Sequence, residues 1–337
     1  MNITALLNKL LEKKDLTTEE TRALLAEILA GKSDPVQIGA LLTAFRMKGE
    51  TVSEIRGFIE SMREHMVSFV HPNAVDVCGT GGDGHGTFNI STTVAFVVAG
   101  AGAHVAKHGN RAASSKCGSA DVLEALGVNT TLSADQAQSV LEKVGMVFLF
   151  APLYHPAMKY IAPVRKALGI RTIFNVLGPF LNPASVRRQL VGVPDLASAK
   201  KLAQVAVQLN YDYLIIATSE NGMDEIAISG KTKLFIVRGK TITTRTVNPE
   251  KLGIKKVTLA ALQGGTAHEN AQIIRHILHG EKSSKRDIVI LNSAYALVAS
   301  GKIPTVDQGM ILAKESIDSG RAYKVLENLI KETQTYA

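Results

Sequence analysis

What most constrains this chain is a grammar repeated through its middle. A short apolar strand runs into a turn of glycines and small polar residues, and a helix follows. Ala74-Val75-Asp76-Val77 leads into Cys78-Gly79-Thr80-Gly81-Gly82-Asp83-Gly84, with a helix from about Ser91. A strand near Ala103–Ala106 leads into Lys107-His108-Gly109-Asn110-Arg111 and a tract of small residues, with a helix from Ala120 to Leu126. Met146–Phe150 and Tyr213–Ala217 are apolar throughout, and helices capped by Ser133 and running over Asp195–Leu209 separate them. Strands apolar on both faces, alternating with helices, predict a mostly parallel sheet covered on both sides.

The first seventy residues follow another rule. Ile3, Leu6, Leu7, Leu10 and Leu11 share a helical face, and Thr17-Thr18-Glu19-Glu20 is a capping box whose helix Gly31 stops. Asp34-Pro35 opens a third helix and Gly49 ends it, while Thr51-Val52-Ser53-Glu54 caps a fourth reaching about Phe69. The stretch from Tyr154 to Arg188 is proline-punctuated and helical, and is expected to pack with these helices. At roughly 150 residues per domain, 337 residues predict two units. One is a small all-helical domain, 1–71 plus about 154–188. The other is a larger α/β domain, 72–153 plus about 189–337, with a β excursion at Lys233–Val237 and Thr241–Val247.

Composition narrows the class. Hydrophobic residues make up 46% and charged residues 20%, a folded rather than a disordered balance. With no Trp, the core rests on aliphatic side chains. The two cysteines, Cys78 and Cys117, exclude a disulfide framework or a cysteine-built zinc site and suit a cytoplasmic protein. The N-terminus lacks the pattern of a signal peptide, and no run reaches the ~18 apolar residues of a membrane span. Net charge is +8, and residues 231–256 hold eight Lys/Arg against the single acid Glu250. With only Phe235 among those cations, the segment reads as a solvated strand face rather than a nucleic-acid surface.

Several motifs carry chemistry. Glycines after Val77 let the backbone take positive φ and approach a ligand, and a strand–turn–helix junction offers free amides to an anion. The pattern is neither a Walker A loop nor a dinucleotide fingerprint, so alone it equally describes a tight turn. Asn89-Ile90-Ser91-Thr92 supply caps and small neutral donors facing that turn, and Ser91 is a candidate metal ligand. Lys107, Arg111 and Lys116 stand among Gly, Ser and Asn, the composition of a polyanion cradle. Adjacent carboxylates Asp224 and Glu225, beyond the Leu214–Ala217 strand, would welcome a hard cation. Mg²⁺ takes one or two carboxylates plus substrate phosphates. Arg165, in an apolar helical context, is an interdomain ion-pair partner or a clamp for a substrate carboxylate. Gly178-Pro179 is a rigid turn able to wall a pocket. His108 reads as a structural hydrogen-bonder or a catalyst, and the cysteines as small packing residues.

Together, Gly79–Asp83, Lys107–Arg111 through Ser119-Ala120-Asp121, Arg171–Pro183 and Asp224-Glu225 resemble the anthranilate phosphoribosyltransferase family in order and spacing, over nearly the whole chain. The resemblance implies a helical domain that forms homodimers and an α/β domain that binds 5-phosphoribosyl diphosphate (PRPP). It implies the second step of tryptophan biosynthesis from chorismate: anthranilate takes the phosphoribosyl group and diphosphate leaves, with no covalent intermediate. It assigns PRPP to Gly79, Gly82, Asp83, Thr87, Asn89, Ile90, Ser91, Thr92, Lys107, His108, Gly109, Asn110, Arg111, Ala112, Ala113, Ser114, Ser115 and Ser119. It assigns anthranilate to Gly79, Asn110 and Arg165 with His108 and Gly178 nearby, and two Mg²⁺ ions per subunit to Ser91, Asp224 and Glu225. One departure is Thr218-Ser219-Glu220-Asn221, where the family commonly carries a His-Gly-type sequence. Two rivals share the resemblance. A pyrimidine nucleoside phosphorylase would need no diphosphate-bridging acidic pair, and a nucleic-acid-binding relative would need neither the clamp arginine nor complete loops.

Overall fold

The computed structural model describes residues 2–112 and 116–337. Four helices come first: α1 Ile3–Leu11, α2 Thr18–Leu29, α3 Pro35–Lys48 and α4 Val52–Glu64. Both capping boxes form, Thr17 with Glu20 and Thr51 with Glu54. α4 stops short of Phe69 because the following backbone finds other partners: Val67 N–H donates to Tyr154 O at 2.8 Å and Phe69 N–H to Pro183 O at 3.1 Å. Those bonds tie the helical unit to the 154–184 stretch, whose Ile161, Val164, Phe174 and Phe180 share one buried cluster with Leu24, Phe45 and Phe58.

The rest is a seven-stranded sheet: β1 Val75–Gly79, β2 Val105–Gly109, β3 Met146–Phe150, β4 Arg188–Gly192, β5 Tyr213–Ser219, β6 Thr232–Arg238 and β7 Thr241–Val247. The strand order is β3-β2-β1-β4-β5-β6-β7; the first five are parallel and the last two antiparallel. The sheet is therefore mostly parallel, and the predicted β excursion is its edge hairpin. Alternation along the strands divides the core. Leu190, Ile215, Leu234 and Ile236 face one layer, which includes α5 Ile90–Gly100, α6 Ser119–Leu126 and the C-terminal helices. Val191, Leu214, Ile216, Phe235 and Val237 face the other layer, formed by the helix Leu196–Gln208 and the helical unit.

Two strands differ from the sequence reading. β2 continues through Lys107, His108 and Gly109, because each pairs in register with β3, Lys107 with Phe148 and His108 with Leu149. The strand β4 lies between β1 and β5, although Arg188-Gln189-Leu190-Val191-Gly192 carries little apolar signal. Chain order reverses between β1 and β4, and an open α/β sheet binds ligands in the crevice outside such a switch point.

Candidate active site

The carboxyl ends of β1 and β2 open into two adjoining cavities. The polar one, of about 600 Å³, is lined by the glycine turn, by Ser91, by Lys107 to Ala112 and by Lys116 to Ser119. The apolar one, of about 530 Å³, is lined by Met62, Pro152, Pro156, Met158 and Leu181 among others. Their shared wall includes Gly79, His108, Asn110, Arg165 and Gly178. This is the size of a small-molecule site.

The glycine turn is built for close approach. Gly82 has φ 74°, and a Cβ at Gly79 would strike the Asp224 carboxylate. The Gly81 amide donates to Asp224 Oδ2 at 2.8 Å, bringing the acidic loop directly behind the turn. Asn221 shapes that loop. His85 Nε2 donates to its carbonyl at 2.8 Å, Ser219 Oγ–H donates to its Oδ1 and its Nδ2 donates to Ser229 Oγ, both at 2.7 Å. The departure at 218–221 thus has its own bonding scheme.

Asp83, Asp224 and Glu225 crowd one another. Burial, and then the neighbouring Asp83 charge, push Asp224 up to about 7. Burial and the Asp224 charge push Glu225 well above the usual carboxylate range. Ser91 completes the set: its backbone amide lowers Glu225, and its hydroxyl accepts from Lys107 Nζ at 3.1 Å. Crowded carboxylates with a hydroxyl beside them are hard oxygen donors short of positive charge, and they fit Mg²⁺. Among the described residues no three His, Cys, Asp or Glu form a ready-made cage.

The cations of the second loop are mostly engaged. Lys107 is buried and donates to Val77 O at 2.6 Å. Arg111 forms a fork on Glu124, 2.7 Å for each arm, and reaches Asp121 at 3.3 Å. Lys116 is exposed and, among the described residues, makes no ion pair. A fourth cation joins them: Arg171 Nη1 donates to Gly82 O at 3.4 Å. Ile90 and Thr92 are buried in the helix behind the turn, and the Asn89 side chain is bonded inward to Cys117 and Asn270. Ala113, Ser114 and Ser115 lie outside the described residues. Thr87 lines the cleft and forms a bridge with Gln263.

Gln263, Gly264 and Gly265 form a third wall that sequence reasoning missed. Gln263 Nε2 donates to His85 O at 2.7 Å and Gly264 N–H to Gly86 O at 3.0 Å, clasping the glycine turn. Its signal was present in the sequence: Gly264-Gly265 precede Thr266, whose capping box with Glu269 starts the helix Ala267–Leu278.

On the apolar side, Arg165 is half-buried with its guanidinium over the Phe174 ring at 5.3 Å. Among the described residues no acidic side chain pairs with it. His108 Nδ1 donates to Gly178 O at 3.3 Å, leaving Nε2 as an acceptor without a protein partner. Gln189 fixes that wall to the sheet by donating to Pro179 O at 2.7 Å and to Asp76 Oδ2 at 3.1 Å.

Compared with known proteins, the family model described as the a/b domain of the glycosyl transferase family matches residues 71–323. The helical bundle domain of that family matches residues 4–66. Anthranilate phosphoribosyltransferase of Dehalococcoides mccartyi is 48% identical over 327 residues, 96% of each chain. The chain belongs to the anthranilate phosphoribosyltransferase family. The crystal structure of anthranilate phosphoribosyltransferase from Thermus thermophilus superposes with a TM-score of 0.92 at 37% identity, covering 99% of this chain and 100% of that one. The Saccharomyces cerevisiae anthranilate phosphoribosyltransferase in complex with PRPP and Mg gives 0.91 at 28% identity, covering 99% and 98%. As a member of this family, the chain is a glycosyltransferase-type enzyme.

The family's positions meet a specific electrostatic setting here. Burial, and then His155, lower His108 to about 3, and burial lowers His155 to about 4. A general base works best with a pKa near the operating pH, so His108 is suited to orienting a group rather than taking its proton. Both imidazoles are neutral in the fold, whereas unfolded they titrate near 6.5. Below that value the unfolded chain binds more protons, so stability falls between about pH 6.5 and 4 by about 1.4 kcal/mol per pH unit per histidine. Melting curves from pH 8 to 4.5 should therefore show a shallower acid slope for His155→Gln than for the native chain. Identical slopes would contradict the neutral buried pair.

Proposed function

We propose that this chain transfers the phosphoribosyl group of PRPP to the amino group of anthranilate, releasing diphosphate, as the second step of tryptophan biosynthesis. The observation that carries the reading is the junction of the two cavities. A glycine turn backed by Asp224 and a second phosphate-type loop meet an apolar pocket whose shared wall holds an arginine with no acidic partner among the described residues.

The work is positioning and charge stabilisation. The Gly82 amide, with Ser119 and Lys116, receives phosphate oxygens, while the Gly81, His108 and Ala112 amides are spent on Asp224, Asp76 and Asp121 and hold the two loops in shape. Arg165 forks the anthranilate carboxylate, while Asn110 and the Gly178–Pro179 turn border the ring. His108 Nε2 accepts an N–H of the amine, aiming its lone pair at the ribosyl carbon. Ser91, Asp224 and Glu225 would hold Mg²⁺, two ions per subunit, which supplies charge neutralisation to the diphosphate. The aromatic amine is nucleophilic when neutral, so no covalent enzyme intermediate is needed, and its proton departs late to solvent or substrate phosphate.

The same reading divides the chain into 1–71 plus 154–188 and 72–153 plus 189–337, working in the cytoplasm as a homodimer. Leu11, Val36 and Met47, exposed by 65%, 80% and 82%, border an apolar groove on α1, α3 and the 159–168 stretch. A second copy would cover it.

The test is the loss of anthranilate fluorescence on mixing with PRPP, with and without Mg²⁺, on protein sized by light scattering. Mg²⁺-dependent loss by a dimer is expected. Thymidine phosphorolysis without PRPP turnover would overturn the assignment, and a monomeric mass would overturn the dimer.

A further inference from the structure

We propose that Asn270 is a positioning residue for the PRPP side of the cleft. It fixes three loops through a chain of hydrogen bonds whose directions are set by one backbone amide. The proposal rests on the PRPP reading above.

Asn270 lies near the start of the helix Ala267–Leu278 and is 2% exposed. Its Oδ1 accepts the Gly265 N–H at 2.8 Å. A backbone N–H can only donate, so this bond decides which end of the amide is oxygen. Nδ2 is thereby turned to Asn89, donating to its Oδ1 at 2.9 Å, and this fixes the Asn89 amide in turn. Asn89 Nδ2 then donates to Cys117 O at 3.3 Å, and Cys117 Sγ–H returns a bond to Asn89 Oδ1 at 3.3 Å.

The partners belong to three separate walls. Gly265 is in the 263–265 loop, Asn89 is the N-cap of α5, and Cys117 precedes α6 and Ser119. The packing is too tight for a side chain at Gly264, where a Cβ would press on Asn270 Oδ1 and Phe88. Asn89 spends its oxygen twice on protein donors. Its influence on PRPP therefore runs through the placement of Ser91 and Ser119. Buried amides linked this way have one consistent orientation, and reversing one reverses the next.

Asn270→Asp keeps shape and volume, keeps the acceptor for Gly265, and sets an oxygen against Asn89 Oδ1. The expected result is a rise in KM for PRPP of about tenfold or more, with KM for anthranilate within about twofold of the native value. A purely structural role would lower the melting temperature and the active fraction, hence apparent kcat, with KM for PRPP unchanged. That result, or an equal rise in both KM values, overturns the proposal.

Should the variant not fold, hydrogen exchange on the native chain decides. PRPP with Mg²⁺ is expected to slow exchange over 263–266 together with 84–89 and 116–119, and an unchanged 263–266 overturns it. Native turnover separates the two readings. No native turnover of anthranilate with PRPP refutes the reaction and this inference with it. Native turnover with unchanged PRPP KM in the variant refutes the inference alone.

Discussion

Replacing Asp224 with Asn and Glu225 with Gln is expected to lower Mg²⁺-dependent turnover on the order of a thousandfold while the fold survives. The amides keep the volume, so the turn over Gly79 and Gly81 still closes. What goes is the negative charge. The same substitution should raise the melting temperature of the unliganded protein at pH 8. An acid held at about 7 in the fold but near 3.8 unfolded binds more protons when native. Its contribution to stability therefore declines as pH rises from about 4 to 7, and at pH 8 its ionised form is a net cost. Lower activity with a higher melting point would mark a pair kept for function against stability. Undiminished turnover would remove the metal assignment.

Arg165→Ala should raise KM for anthranilate by about 10- to 100-fold, the equivalent of a charge-assisted hydrogen bond at about 1.5–3 kcal/mol, and change KM for PRPP little. The asymmetry follows from position: Arg165 stands in the shared wall beside Met158 and Ala162, which line only the apolar cavity. Arg165→Lys should recover little of the loss, because the ammonium lacks the planar fork that grips a carboxylate at two points. Equal effects on both substrates would show that the arginine holds the domains together instead.

Local rules carried the reading wherever the signal was local. The capping boxes at Thr17, Thr51 and Ser133 form as written, and Pro35 begins its helix. The two loops could be found because glycine and small polar residues are costly inside regular elements and so mark where elements end. What failed was set by partners far along the chain. β4 is a strand because β1 and β5 flank it, not because Arg188 and Gln189 favour one. The end of α4 is decided by carbonyls of Tyr154 and Pro183. The 263–265 wall carries the same strand-free turn-then-cap signal as many surface loops, and its contact with the glycine turn exists only in three dimensions. His108 left two roles open in sequence, and only its burial beside His155 separates them.

The outer strand of the sheet casts its basic neighbourhood in another light. β7 is a seven-residue run of mostly β-branched side chains whose residues from Thr241 to Thr246 are all exposed, with one edge unpaired. Such a ribbon is a template on which a second molecule could zip up its own border strand. Arg245 on β7 and Lys233 and Arg238 on the strand beside it are exposed, and among the described residues none is neutralised by an acid. Two copies approaching border to border would bring like charges together. Such repulsion would oppose border-to-border pairing whether or not any ligand is bound.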